Sequence, residues 1–293
     1  MWNTGPVDEV SWLQVAQRVW RTQVDPHQVT CGLVVGEDHC LLVDTGSTPE
    51  QGRRIAASAA TVAGRPVDRV VITHHHDDHV GGLGGLDASV ESWMHRSASA
   101  RCGATVTHPL SLMAFIDLGG LGAEVLHLGP GHTDGDLVVH VPDQGVTFTG
   151  DLVETSGDPQ CDESSDPWGW AQALDALLSA TRGRGRYLPG HGEPVDAQQV
   201  LAQRQDIGRC VEDVREAMSR GHDAETIAAR AADGGHDWPF GTEALAQWIP
   251  RTAQVLLDRE LVRPRQLDIT AVTRPQPGGH GRQRPPGSGL PPR

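Results

Sequence analysis

The sequence predicts an α/β fold: a sandwich of two β-sheets with helices on the outside, followed by a helical C-terminal extension. Three observations predict it. Strand-like runs alternate with helical periods early in the chain, a series of short strand-like runs follows, and from Ala197 onward the pattern is helical. A length of 293 residues suits one domain with an elaboration, or two small ones.

In chain order, Trp12 to Trp20 sets Trp12, Val15, Ala16, Val19 and Trp20 near helical spacing, while Gln14 to Arg21 alternates only in part; helix and strand both stay open here. Thr30–Val35 and Cys40–Val43 read as paired strands around Gly36-Glu37-Asp38. Ser47–Ala63 opens with a Ser/Thr cap and Pro49, then carries Ile55, Ala56, Ala59, Ala60 and Val62 on one helical face. Val67–Thr73 is a buried strand, Gly81–Leu86 starts a short, closely packed helix, and Ser89–His95 is a further strand. Val125–Leu128, Leu137–Val141 and Val146–Phe148 are short strands of a second sheet. Asp166–Thr181 is a helix with Trp170, Leu174, Leu177 and Leu178 on its core face. The loop before it, Glu154 to Trp168, is rich in Asp, Ser, Gly and Pro and is placed beside a cleft, with Trp168 as its apolar wall or as simple packing.

Residues 1–195 thus form a main domain. Val200–Arg220, His222–Ala232 and Trp248–Leu261 predict three helices of an extension over 196–263, read as a packing layer, a cover for the cleft edge or a homodimer contact. Residues 264–293 are Pro/Gly/Arg-rich without an apolar period, which predicts a disordered tail.

Composition excludes several functions. No run approaches the ~18 apolar residues of a membrane span, so no membrane partner is expected. Met1 to Glu9 lacks a basic stretch leading into an apolar core, so no secretory signal is expected. The five cysteines are scattered, with no Cys-x-x-Cys pair, and read as free thiols of a reducing cytoplasm. Net charge is −14; the segment from Arg263 carries +5, leaving −19 on the preceding 262 residues. Such a body repels polyanions, so no nucleic-acid partner is expected. All 24 basic residues are arginine, which removes any lysine-based recognition of a substrate carboxylate or phosphate.

The chemistry is concentrated in Thr73-His74-His75-His76-Asp77-Asp78-His79, directly after the apolar run Val70-Val71-Ile72. Four imidazoles and two carboxylates in six positions call for a cation to neutralise them. Three later segments each place one His or Asp at a glycine-bounded turn after an apolar run: Gly131-His132, Gly150-Asp151 and Gly190-His191. Zinc takes imidazole nitrogen and carboxylate oxygen, about four donors per ion. His74, His76, Asp78, His79, His132, Asp151 and His191 exceed one ion and fit two if a carboxylate bridges.

From about Val24 to about Pro194 the chain resembles the metallo-β-lactamase superfamily. The resemblance rests on Leu41-Leu42-Val43-Asp44-Thr45-Gly46, the His-x-His-x-Asp-His run, His132, Asp151 and His191, in the family's order. It implies a four-layer αβ/βα sandwich and two divalent metal ions, zinc first, with iron or manganese as alternatives. His74, His76 and His132 would hold one ion, Asp78, His79 and His191 the other, and Asp151 would bridge. His75 and Asp77 are then spare. Asp44 resembles the family carboxylate that fixes a ligand histidine, with Thr73 and Thr133 adding hydrogen bonds. Asp151 and His191 look like the glyoxalase-II-like and lactonase-like branch. The implied activity is hydrolysis of a thioester, ester or lactone of a small molecule by hydroxide held between the ions, with Asp78 orienting it. The same positions are compatible with a mononuclear-iron persulfide dioxygenase, or with a non-catalytic member that binds a small ligand.

Overall fold

The computed structural model describes residues 10–234 and 236–262. The expectations for the N-terminus and for the tail over 264–293 lie outside that range.

The chain begins with β1 (Leu13–Ala16), β2 (Val19–Val24), β3 (Val29–Val35) and β4 (Cys40–Val43), a run of antiparallel neighbours. The segment left open between helix and strand is therefore two strands. Helix α1 (Pro49–Ala63) follows, capped by the Thr48 side chain on the Gln51 N–H, with Pro49 in its first turn and Gly64 in the left-handed conformation at its end. Then come β5 (Arg69–Val71), α2 (Asp77–Val80), a 3-10 turn (Leu83–Gly85), β6 (Glu91–His95), α3 (Arg96–Cys102) and β7 (His108–Leu110). β4 to β7 pair in parallel, so β1 to β7 form one seven-stranded mixed sheet.

The second sheet has β8 (Met113–Asp117), β9 (Gly122–Leu126), β10 (Val138–Val141), β11 (Val146–Gly150) and, after α4 (Pro167–Ala180), β12 (Arg186–Pro189). Its order is β12-β11-β10-β9-β8, with only β11 and β12 parallel. Helices α5 (Ala197–Ser219), α6 (Ala224–Ala232) and α7 (Thr242–Asp258) complete the described chain. Among the described residues no helix is long and apolar enough to cross a membrane.

The period of two along each strand sorts side chains into layers. Leu41 and Val43 face the space between the sheets, where they meet Val125, Val139, Val141 and Phe148. Cys40 and Leu42 face outward, onto Ile55 and Ala59 of α1 and Ala98 of α3. On the far side, Val138 and Tyr187 pack with Trp170, Leu174 and Leu177 of α4 and with residues of α5, α6 and α7. Helix, sheet, sheet and helix make the four layers. Strands buried on both faces explain the near-continuous apolar runs of the sequence. The extension is a packing layer on α4, sharing its core cluster.

The short, closely packed helix expected over Gly81–Leu86 is a single 3-10 turn at Leu83–Gly85, where backbone packs on backbone. A Cβ at Gly82 would lie 2.0 Å from the Thr45 carbonyl oxygen, and one at Gly85 would lie 1.8 Å from that of Pro49. The last helix starts at Thr242 rather than Trp248 and runs through Pro250; burial of Leu245, Trp248, Ile249 and Leu256 outweighs the proline.

This close packing sets a comparison. Gly85→Ala should destabilise the fold by about 1–3 kcal/mol through overpacking, visible as a melting temperature lower by several degrees. Gly84→Ala, whose nearest new neighbour stands 3.9 Å away, should melt within about a degree of wild type. Equal melting temperatures for the two variants would contradict the packing described.

Candidate metal centre

The ends of β4, β5, β11 and β12 and the β9–β10 connection meet at one edge of the sandwich. Backbone bonds join the sheets there: Leu137 N–H donates to the Thr73 carbonyl at 2.7 Å, and Thr30 N–H to the Gly190 carbonyl at 2.7 Å. Asp44, just past β4, takes a left-handed φ of 59°, which Asp tolerates better than most residues. Its carboxylate accepts from Thr73 N at 2.8 Å, Thr73 Oγ1 at 2.8 Å and His79 Nδ1 at 2.9 Å. His76 sits at the N-cap of α2, and the single turn of that helix sets Asp78 and His79 side by side. Gly150 turns the chain with φ 51° to present Asp151. Gly190 keeps room for it: a Cβ there would fall 1.8 Å from Asp151 Oδ1.

All seven candidate ligands converge, in two groups. His74, His76, His132 and Asp151 form one, and Asp78, His79 and His191 the other; within each, one donor atom per residue lies within 4.8 Å of the rest. In the first, His76 Nδ1 is 3.1 Å from His74 Nε2 and 2.9 Å from His132 Nε2. In the second, His191 Nε2 is 3.4 Å from His79 Nε2 and 3.2 Å from Asp78 Oδ2. Asp151 stands between them, Oδ2 at 3.7 and 3.6 Å from His74 and His132, Oδ1 at 3.2 Å from His79.

The outward nitrogen of each imidazole is already engaged. His74 Nδ1 meets Thr73 Oγ1 at 3.1 Å, His76 Nε2 meets Asp162 at 2.8 Å, His79 Nδ1 meets Asp44, His132 Nδ1 meets the Gln160 carbonyl at 3.0 Å, and His191 Nδ1 meets the His27 carbonyl at 3.0 Å. Such outer contacts fix the tautomer that leaves the inner lone pair free. Asp151 is buried, and its Oδ1 faces the inward nitrogen of His79. Inner lone pairs that face one another around a buried carboxylate are the donor set of two divalent cations, and the residues fit that occupancy.

Burial pushes the His74 pKa well down and that of His132 to about 4, so both are neutral donors near neutral pH. For His79 burial is outweighed by Asp151 and Asp44, which push it well up. For His191 it is outweighed by Asp151 and Asp78, which raise it to about 10. Without an ion these imidazoles hold protons where cations would sit, and metal entry displaces them.

The cleft has a volume of about 350 Å3 and is lined by His27, Glu154, Ser156 and Gln160 besides five of the ligands. The loop after Asp151 does border it, as its composition predicts. Trp168 does not; it packs against the core under α4. Thr133 likewise turns away, donating from N and Oγ1 to Asp136. His75 is in neither group, and Asp77 is exposed. Asp162, Glu154 and His27 escape sequence reasoning, because nothing distinguishes one loop carboxylate or carbonyl from its neighbours.

The metallo-beta-lactamase superfamily profile matches residues 24–90 and 103–191. Hydroxyacylglutathione hydrolase of Aeromonas hydrophila is 32% identical over 133 residues, 43% of this chain and 46% of that protein. The enzyme of the same name from Cereibacter sphaeroides is 34% identical over 139 residues, 45% and 52% of the two chains. The chain thus spans about half the length of the curated relatives it matches. In fold it resembles the metallo-beta-lactamase FIM-1 from Pseudomonas aeruginosa in its mono-zinc form, with a TM-score of 0.61 and 24% identity over 68% of this chain and 95% of that one. The metallo-beta-lactamase from Pontibacter korlensis gives a TM-score of 0.61 and 23% identity over 67% and 99%.

Removing the shared carboxylate tests the two-group geometry. Asp151→Ala should lower metal content from two ions per chain to one or none by elemental analysis, and His75→Ala should leave it unchanged. Full occupancy in the first variant, or collapse in the second, would overturn the ligand assignment.

Proposed function

The chain belongs to the metallo-beta-lactamase superfamily, and from that premise we propose that it is a dinuclear metal-dependent hydrolase of a small thioester, ester or lactone. The observation that carries this reading is the joining of two His/Asp groups through one carboxylate, Asp151, in a cleft sized for a small molecule. The ions of this reading are zinc, which suits imidazole and carboxylate donors. When bound they would polarise a carbonyl oxygen and lower the pKa of a water from about 15.7 to about 7.

The chain's own residues bind and orient. Asp78 is the catalytic residue of this reading. Burial works against its charge, but the hydrogen bond with His191 and the nearby His79 bring its pKa below the ordinary value. It therefore stays an acceptor, half-buried at the cleft, and can take a hydrogen bond from the attacking water to aim it at the carbonyl carbon. Asp44 holds His79 in place from behind. Glu154 lines the cleft with its oxygens on Ser156 Oγ and Gln160 N.

Among the three substrate classes, the relatives named hydroxyacylglutathione hydrolase favour a thioester. Glutathione itself is disfavoured as the carrier, since among the described residues no arginine lines the cleft and the chain has no lysine to meet its carboxylates. A body of charge −19 before Arg263 makes nucleic acid a poor substrate as well.

Elemental analysis of protein purified without added metal or chelator should give two zinc ions per chain. A panel of neutral thioesters, esters and lactones should then show turnover that chelation abolishes. One iron per chain, with oxygen uptake on persulfides, would replace this reading with an oxidative one.

A further inference from the structure

One loop holds two of the three imidazoles of the first group from outside. Asp162 Oδ2 lies 2.8 Å from His76 Nε2, and the Gln160 carbonyl lies 3.0 Å from His132 Nδ1. The orientation of Asp162 is set within the loop. Its Oδ1 accepts from Ser164 N and Ser164 Oγ, both at 2.7 Å, which leaves Oδ2 for the histidine. Asp162 N donates to Ser165 Oγ at 2.9 Å, and Ser165 Oγ donates to the His132 carbonyl at 2.6 Å.

This loop has no helix or strand of its own between β11 and α4. Its outer support comes from the C-terminal helices. Trp248 Nε1 donates to the Pro159 carbonyl at 2.7 Å, and Arg251 Nε to the Ser165 carbonyl at 2.6 Å. Gly241 N, at the start of α7, donates to Asp158 at 2.8 Å, and Arg259 pairs with Asp166, the N-cap of α4. Trp248 is fully buried and stacks on Trp170, which meets the His132 ring edge-on at 5.5 Å between centroids.

We propose that Asp162 is a positioning residue for His76 and that α7 braces its loop, so that the C-terminal helices tune the affinity of one metal position. The physical reason is specific to His76. It faces its group through Nδ1, and its side chain is 27% exposed, so its Nε2 is open to water wherever Asp162 is absent. A carboxylate on Nε2 keeps the proton there and the Nδ1 lone pair inward. The inference rests on the His74, His76 and His132 group binding metal, and on nothing about the substrate.

The test is zinc affinity of the full chain, by competition with a chromophoric chelator that resolves the two ions, beside melting of the metal-free protein. Asp162→Ala should weaken one ion about 10–100-fold and leave the other within about twofold. Asp162→Asn, which keeps an acceptor for His76 Nε2–H, should recover most of the loss. Arg251→Leu should weaken the same ion to a smaller degree, and should add less than its own effect in the Asp162→Ala background. Unchanged affinities in Asp162→Ala would overturn the proposal. So would equal weakening of both ions with a lower melting temperature of the metal-free chain, or full additivity of Arg251→Leu. Wild-type protein that binds no metal would overturn the hydrolase reading along with it.

Discussion

Five imidazoles and two carboxylates turn their acceptor atoms toward one another in a place that is largely shut off from solvent. Unpaired, such a cluster is costly, because buried charge and buried lone pairs both need partners. Protons on His79 and His191 relieve part of the conflict, and a cation in each group would relieve more of it. Much of the surrounding architecture serves to keep the conflict in place: each outward nitrogen is bonded to Thr73, Asp162, Asp44, or a carbonyl of Gln160 or His27, so the rings cannot rotate away.

The sandwich is what brings the donors to one edge. Strands of fixed rise deliver their last residues to the same level in both sheets, and the turns beyond them carry the ligands. Glycine is required where backbone or carboxylate comes too close for a side chain, as at Gly190 beside Asp151 and at Gly82 and Gly85 under α1. The helices matter at a distance. α1 and α3 cover one sheet, while α4 to α7 cover the other and reach over to the loop that holds His76 and His132.

The sequence made much of this legible. The His-x-His-x-Asp-His run is contiguous, and His132, Asp151 and His191 each follow an apolar run at a glycine turn, so local signals pick out all seven members of the two groups the structure brings together. The apolar runs of the strands and the Ser/Thr cap before Pro49 were equally local. Asp162 was not legible, since its partner lies 86 residues away and its neighbours include Asp158, Glu163 and Asp166. Helix α3 passed unnoticed because it is short and polar with only Ala98 buried. β8 shows just one buried residue, Ile116, against exposed Met113 and Phe115. The start of α7 was obscured by Pro250, a local signal that long-range packing of Trp248 overrides.

The spread of the ligands along the chain has a consequence for biogenesis. His79 and His191 are 112 residues apart, and both face the same group. During synthesis the His-rich turn emerges on the order of ten seconds before its last partner, at roughly 5–20 residues per second. Through that interval the nascent chain carries only part of each ligand group, and the Asp162 loop still awaits its brace from α7. A cation would thus find both groups complete only once His191 has been made and the sheets have closed the edge around them.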